Sequence, residues 1–148
     1  MIYLFTGQPG SGKTSIGKLL SESLQKVIQI DGDDLRNIFD NIDYSEIGRI
    51  KNIKKAHDIA YFLDKKGFNV VITMVSPFRD LRNYLKSRTK VIEIYVHTSD
   101  IRGRENFFVK NYEPPISNYI DLDTTNKTDL ESFKYLINYG IIKILDKS

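Results

Sequence analysis

The residues GQPGSGKTS place three of the chain's nine glycines, Gly7, Gly10 and Gly12, within six positions and follow them with Lys13 and Thr14. That spacing fits G-x-x-x-x-G-K-[ST], a turn whose backbone N–H groups point at phosphate oxygens. Glycine adopts backbone conformations that other residues resist, and a helix beginning near Lys13 adds the positive end of its dipole. The pattern predicts ATP bound by Gly7, Gln8, Pro9, Gly10, Ser11, Gly12, Lys13, Thr14 and Ser15. Lys13 would reach the β- and γ-phosphates and Thr14 would ligate Mg²⁺.

Three further groups could work beside such a turn. Asp31, Gly32, Asp33 and Asp34 form an acidic cluster. Alone it reads equally as a solvated turn that caps a helix. Beside a phosphate site it could supply the carboxylate near an acceptor hydroxyl and another at or near Mg²⁺. Arg49 and Asn52 stand three apart at the start of a long helix, on or beside the face that Ile53 and Ala56 continue. Polar groups on a core-facing edge need partners, either an anionic ligand or an internal carboxylate. The third group is SPFR, Ser76 to Arg79. Lys51, Lys54, Lys55, Lys65 and Lys66 read as a solvated face.

The elements that must position these groups follow from periodicity. Ile2 to Thr6 reads as a buried strand, and Ile16, Leu19, Leu20 and Leu24 recur at helical spacing after Lys13. Val27 to Ile30 is a second short strand. A long helix is expected from about Glu46 to Lys66, with Ile53, Ala56, Ala60 and Leu63 on one face and Gly67 as its stop. NVVITMV, Asn69 to Val75, reads as a strand buried on both faces. A helix over Phe78 to Ser87, a strand over Val91 to Val96, a weak strand over Tyr119 to Leu122 and a helix from about Asp129 to Asn138 complete the list. Alternating strands and helices predict an α/β fold with a doubly wound sheet. In such sheets ligands bind beyond the carboxyl ends of the strands, where GQPGSGKT follows the first strand, the Asp31 to Asp34 cluster the second and SPFR the third.

The totals bound the rest. A chain of 148 residues is the size of one domain, expected to span 1–148. With 41% apolar and 28% charged residues and a net charge of +3, nothing demands a nucleic acid polymer as partner. The absence of cysteine excludes disulfides, thiolate metal sites and a cysteine nucleophile. Only His57 and His97 are present, and both read as structural. No apolar run approaches the roughly 18 residues of a membrane span, and the N-terminus lacks the pattern of a signal peptide, so the cytoplasm is the expected location, with no membrane partner.

Taken together the motifs resemble the adenylylsulfate kinases, which phosphorylate the ribose 3′-hydroxyl of adenosine 5′-phosphosulfate with ATP and Mg²⁺. The likeness rests on GQPGSGKTS, IDGDDLR, the R-x-x-N-I of Arg49, Asn52 and Ile53, VSPFR and YVHTS, in the family's order with similar spacing. YEPP (Tyr112 to Pro115) and IDLDT (Ile120 to Thr124) resemble its closing motifs. The resemblance implies a P-loop NTPase-type three-layer α/β/α sandwich with a mainly parallel five-stranded sheet, a small nucleotide substrate and a homodimer. It implies that Asp33 activates the acceptor and that Asp31 supports Mg²⁺ or its waters. Arg36, Arg49 and Asn52, with Ile53 and Pro77 beside them, match the groups that hold the acceptor's anionic part. Tyr44, where phenylalanine is usual, and Phe78 match aromatics around its base. Ser76 matches a serine for which a phosphoenzyme role has been proposed. In-line transfer between two bound nucleotides needs no covalent stop, so contact with the acceptor is the expectation.

The chain departs from the family after the strand VIEIYV. The usual lid, with K-G-L-Y-type and G-F-T-G-type segments, is replaced by SDIRGRENFFVKNYEPP between Ser99 and Pro115. Arg102, Arg104 or Lys110 could supply charge there, and Phe107 or Phe108 an aromatic; a packed helix is the alternative. The reduced lid keeps other outcomes open. These are a 3′-kinase for another 5′-substituted nucleotide such as cytidine diphosphoramidate, a kinase for a non-nucleotide metabolite, and an NTP-driven switch.

Overall fold

In a parallel sheet covered on both faces, a central strand is apolar at every position. β1 (Ile2–Thr6) is such a strand, with all five residues buried. Tyr3 and Phe5 point to one face, where they pack with Ile16 and Leu20 of α1 (Lys13–Glu22) and Phe133 and Leu136 of α5 (Asp129–Leu136). Ile2 and Leu4 point to the other, against Ile53, Ala56 and Ala60 of α3 (Glu46–Lys65) and Leu85 of α4 (Arg79–Arg88). These contacts come from a computed structural model in which residues 1–141 are described.

The remaining elements are β2 (Val27–Asp31), α2 (Gly32–Ile38), β3 (Asn69–Thr73), β4 (Val91–His97), a 3₁₀ turn at Glu105–Phe107 and β5 (Ile120–Asp123). The five strands form one sheet in the order β2-β3-β1-β4-β5, and every pairing is parallel. β1 is followed in sequence by a strand two places to one side, while β4 flanks it on the other. The chain therefore reverses its winding direction at β1, and a crevice opens beyond its carboxyl end. The α/β sandwich expected from the alternation of elements is the fold observed.

Several boundaries move by a residue or two. β3 ends at Thr73 rather than Val75 because its partners end there, Thr73 lying opposite both Phe5 and Asp31. β5 runs from Ile120 to Asp123 because only those residues find partners on β4. The last α-helix stops at Leu136, and Ile137–Ile141 forms one wide turn in which Gly140 has a φ of 114°. α2 starts inside the acidic cluster, so Asp33 and Asp34 occupy its first turn, where carboxylates complement the helix dipole.

The two histidines lie outside the crevice. His57 is buried in α3, and desolvation pushes its pKa down to about 4, which keeps the ring neutral. His97 shares its Nε2 with both carboxylate oxygens of Asp121 at 2.9 and 3.0 Å. Among the described residues no helix is long and apolar enough to cross a membrane.

Candidate active site

The glycine turn leaves β1 under tight constraint. Gly7 has a φ of 155°, and a Cβ there would run into the Val96 carbonyl oxygen of the neighbouring strand. Gly12, at φ 108°, is the residue before α1, which begins without a side-chain cap. By contrast, Ser45 caps α3 and Thr128 with Glu131 forms a capping box on α5. The first N–H groups of α1 thus remain for an anion. The Lys13 ammonium folds onto the turn and donates to the Gln8 carbonyl at 2.8 Å and to Ser11 Oγ at 3.4 Å. It is only 7% exposed. Desolvation lowers its pKa to about 8, with Asp31 and Asp33 opposing that shift and Arg104 reinforcing it.

The acids sit where β2 passes into α2. Asp31 is the residue before α2, and its Oδ1 accepts from Thr14 Oγ1 and from Thr73 Oγ1, both at 2.8 Å. A hydroxyl and a carboxylate meeting at the phosphate turn form a hard-oxygen donor set of the kind Mg²⁺ takes, completed by substrate phosphates. Among the described residues no group of three or more His, Cys, Asp or Glu could hold a metal alone, so an ion here would need the nucleotide's oxygens. Asp33, two residues further on in the first turn of α2, is exposed.

The acids share a cleft with a cationic corner. Arg36 Nη1 donates to the Asn41 carbonyl, to Asn41 Oδ1 and to the Asp43 carbonyl at 3.0 to 3.1 Å, and its guanidinium lies 4.0 Å from the Tyr44 ring centroid. Arg49 Nε donates to the Tyr44 carbonyl at 2.9 Å. Burial, and then the charge of Arg36, push the Arg49 pKa down. Among the described residues neither arginine has a carboxylate within 4 Å, so the internal-carboxylate alternative is absent. Asn52, 3% exposed, donates to the Gly32 carbonyl at 3.4 Å, while its Oδ1 has no partner among the described residues.

One cleft of about 860 Å³ joins these groups. Of the residues singled out in the sequence, Pro9, Gly10, Lys13, Thr14, Asp31, Asp33, Arg36, Tyr44, Arg49, Asn52, Ile53, Ser76 and Pro77 line it. Gly7, Gln8, Ser11, Gly12, Ser15 and Phe78 do not. Gly7 is pressed against β4, and the Ser11 carbonyl accepts from Thr124 Oγ1 and Arg102. Ser15 is exposed on α1. Phe78, expected near the acceptor's base, instead packs with the apolar cluster beneath α3 and α4. Sequence reasoning passed over Arg82, a buried arginine whose Nη1 donates to the Ser76 carbonyl. Its one signal was position, since residue 82 shares a helical face with Phe78 and Leu85.

A profile of the family described as Adenylylsulphate kinase matches residues 1–107. The chain belongs to the adenylylsulfate kinase family. It is 34% identical over 131 residues to a cytidine diphosphoramidate kinase of Campylobacter jejuni, covering 82% of this chain and 77% of that protein. It is 30% identical over 171 residues to a probable adenylyl-sulfate kinase of Aeropyrum pernix, covering 97% and 92%. The Mycobacterium tuberculosis APS kinase CysC, solved in complex with AMPPNP and APS, superposes with a TM-score of 0.74 at 22% identity over 93% of this chain and 95% of that one. The last likeness shows the fold. Family membership makes this protein a nucleotide-binding phosphotransferase that uses ATP.

The family profile ends at Phe107, inside the shortened lid of this adenylylsulfate kinase relative. The two arginines there have separate uses. Arg102 Nη1 donates to the Gly10 and Ser11 carbonyls at 3.2 Å, and its Nη2 to Asp100 and the Thr124 carbonyl. Arg104 lies against Gly10, stacks 5.4 Å from the Phe107 ring centroid and lines the cleft with Asn106, Phe107 and Phe108. The lid is also laced to the glycine turn: Gln8 Nε2 donates to the Val109 carbonyl and Gln8 Oε1 accepts from the Val109 N–H, both at 2.9 Å.

Proposed function

We propose that the protein transfers the γ-phosphoryl of ATP to the ribose 3′-hydroxyl of a small nucleotide with a substituted 5′-phosphate, adenosine 5′-phosphosulfate being the first choice. The observation that carries this is the cleft that Lys13, Asp33 and the Arg36–Arg49 pair line together, with no carboxylate within 4 Å of either arginine among the described residues. Two guanidiniums held side by side favour an anionic group between them. We take residues 1–148 as one kinase domain, in the cytoplasm where ATP is supplied, and as a homodimer.

Each side chain then has a task. The glycine turn and Lys13 hold the triphosphate and offset charge on the transferred phosphoryl oxygens. Asp33 accepts the proton of the attacking hydroxyl. Thr14 and Asp31 would hold Mg²⁺, which supplies further charge neutralisation on the phosphates when bound. Arg36, Arg49 and Asn52 grip the acceptor's 5′-anionic part, with Tyr44 beside its base, and Ser76 contacts the acceptor without becoming phosphorylated.

Arg49→Ala is expected to raise the acceptor KM by about tenfold or more while leaving ATP affinity within about twofold. Equal loss for both nucleotides would move the acceptor elsewhere.

The deciding experiment is kcat/KM for adenosine phosphosulfate, cytidine diphosphate, cytidine diphosphoramidate and a sugar, each with ATP and Mg²⁺. Adenosine phosphosulfate is expected to lead. The Campylobacter jejuni relative supports a second reading, cytidine diphosphoramidate as acceptor, which a higher value for that compound would establish. Phosphorylation of the sugar alone would end both.

A further inference from the structure

Arg82 is fully buried on α4, and its guanidinium is divided among three parts of the chain. Nε donates to Glu93 Oε2 of β4 at 2.8 Å, Nη1 to the Ser76 carbonyl at 2.6 Å and Nη2 to the Glu113 carbonyl at 2.5 Å. Its centre lies 5.7 Å from the Tyr112 ring centroid. Glu93, 2% exposed, accepts a second time from Lys86 at 2.9 Å. Replacing a buried ion pair by apolar groups is often neutral for stability. What the pair holds in place is therefore the more informative question.

What it holds is Ser76. This residue has a φ of +44°, a region that a residue with a Cβ keeps only when its surroundings over-determine it. Its carbonyl accepts from Arg82 Nη1 and from Thr6 Oγ1 at 3.2 Å. The residue lines the cleft and is 1% exposed, and its buried hydroxyl has no hydrogen-bond partner among the described residues. A buried hydroxyl left unpaired is costly unless a ligand completes it. The neighbours close round the same point: Tyr112 OH and Thr6 Oγ1 lie 2.6 Å apart, and the Glu113 N–H donates to the Pro77 carbonyl at 2.9 Å.

We propose that Arg82 is a positioning residue for the phosphoryl acceptor, fixing Ser76 in its left-handed conformation so that the serine hydroxyl is presented in the cleft. The inference rests on the acceptor-side placement of Ser76 given above. Arg82 itself touches no substrate; it acts through the Ser76 carbonyl, and Glu93 and Tyr112 set its own orientation.

The test is a double-mutant cycle with crystal structures. Arg82→Lys keeps a cation for Glu93, but its single nitrogen lacks the planar fork that reaches three acceptors spread round a guanidinium. It is expected to lower acceptor kcat/KM about tenfold, with ATP affinity changed less than about twofold. In the Ser76→Ala background the same substitution is expected to cost less than about twofold, because the hydroxyl it positions is gone. In the Arg82→Lys crystal, Ser76 is expected to leave positive φ while the glycine turn and sheet stay in place. An equal loss in both backgrounds, or Ser76 unmoved, overturns the proposal. Glu93→Gln, which keeps the shape and loosens Arg82, gives the same two readouts should Arg82→Lys fail to fold. If the parent protein phosphorylates no nucleotide, the functional assignment fails separately, and the conformation of Ser76 in the variant crystal still decides the role of Arg82.

Discussion

Asp33→Asn is expected to lower kcat by about 10²- to 10⁴-fold while ATP binds within about twofold of the parent. The substitution keeps the size of the side chain and its place in the first turn of α2, but an amide cannot take the proton of the attacking hydroxyl. Asp33 also helps hold the Lys13 pKa up, so its loss lowers the charged fraction of Lys13 slightly. Comparison at pH 6.5, where Lys13 is charged in either case, separates the two effects. A loss of that size in single-turnover transfer, with nucleotide affinity intact, supports proton acceptance. An unchanged rate removes Asp33 from the mechanism.

Lys13→Met is expected to cost about 10²- to 10³-fold in kcat, the usual effect of deleting one preorganised charge donor. It also carries a pH signature. Burial holds the Lys13 pKa at about 8 in the free protein, and a bound triphosphate favours the ammonium, raising it. Binding therefore takes up a proton, about a tenth at pH 7 and about half at pH 8. Affinity for ATP is highest below pH 8 and falls by up to about tenfold per pH unit as pH rises through that value toward the pKa of the complex. Folding has the opposite sign: Lys13 has a lower pKa in the folded chain, so the unfolded state binds more protons between about pH 8 and 10.5, and stability rises across that window. Calorimetry in buffers of different ionisation enthalpy measures the uptake, and Lys13→Met should abolish it. Uptake that persists in the variant assigns the proton to another group.

Much of the fold was legible because strong local patterns agreed with one another. IYLFT, NVVIT and VIEIYVH are apolar runs that suit a doubly covered parallel sheet, and each ends at a chemically unusual segment. Convergence of Lys13, Asp33 and Ser76 on one cleft was likewise deducible from the strand-end rule. Side-chain direction was less legible. Phe78 follows Pro77 in a motif that suggested a ligand, yet its place immediately before α4 turns it into the apolar layer with Leu81 and Leu85. Arg82 was hidden among the charges of RDLRNYLKSR because its partners, Glu93 and the carbonyls of Ser76 and Glu113, are distant in sequence or belong to the backbone, where residue type carries no information. The same holds for Gln8, whose side chain seeks the main chain of a residue about a hundred positions away.

That last contact has a kinetic consequence. With Arg102 fastened to the carbonyls of Gly10 and Ser11, and Val109 zipped to Gln8, the six residues between them span two fixed points, and four of the six line the cleft. Ordering a residue costs about 1–2 kcal/mol, so closing six loose residues would cost about 6–12 kcal/mol, and the two tethers keep that cost from extending to the rest of the connection. Because both tethers lie outside those six residues, a flap there would open and close without breaking either, on the fast timescale of short loops.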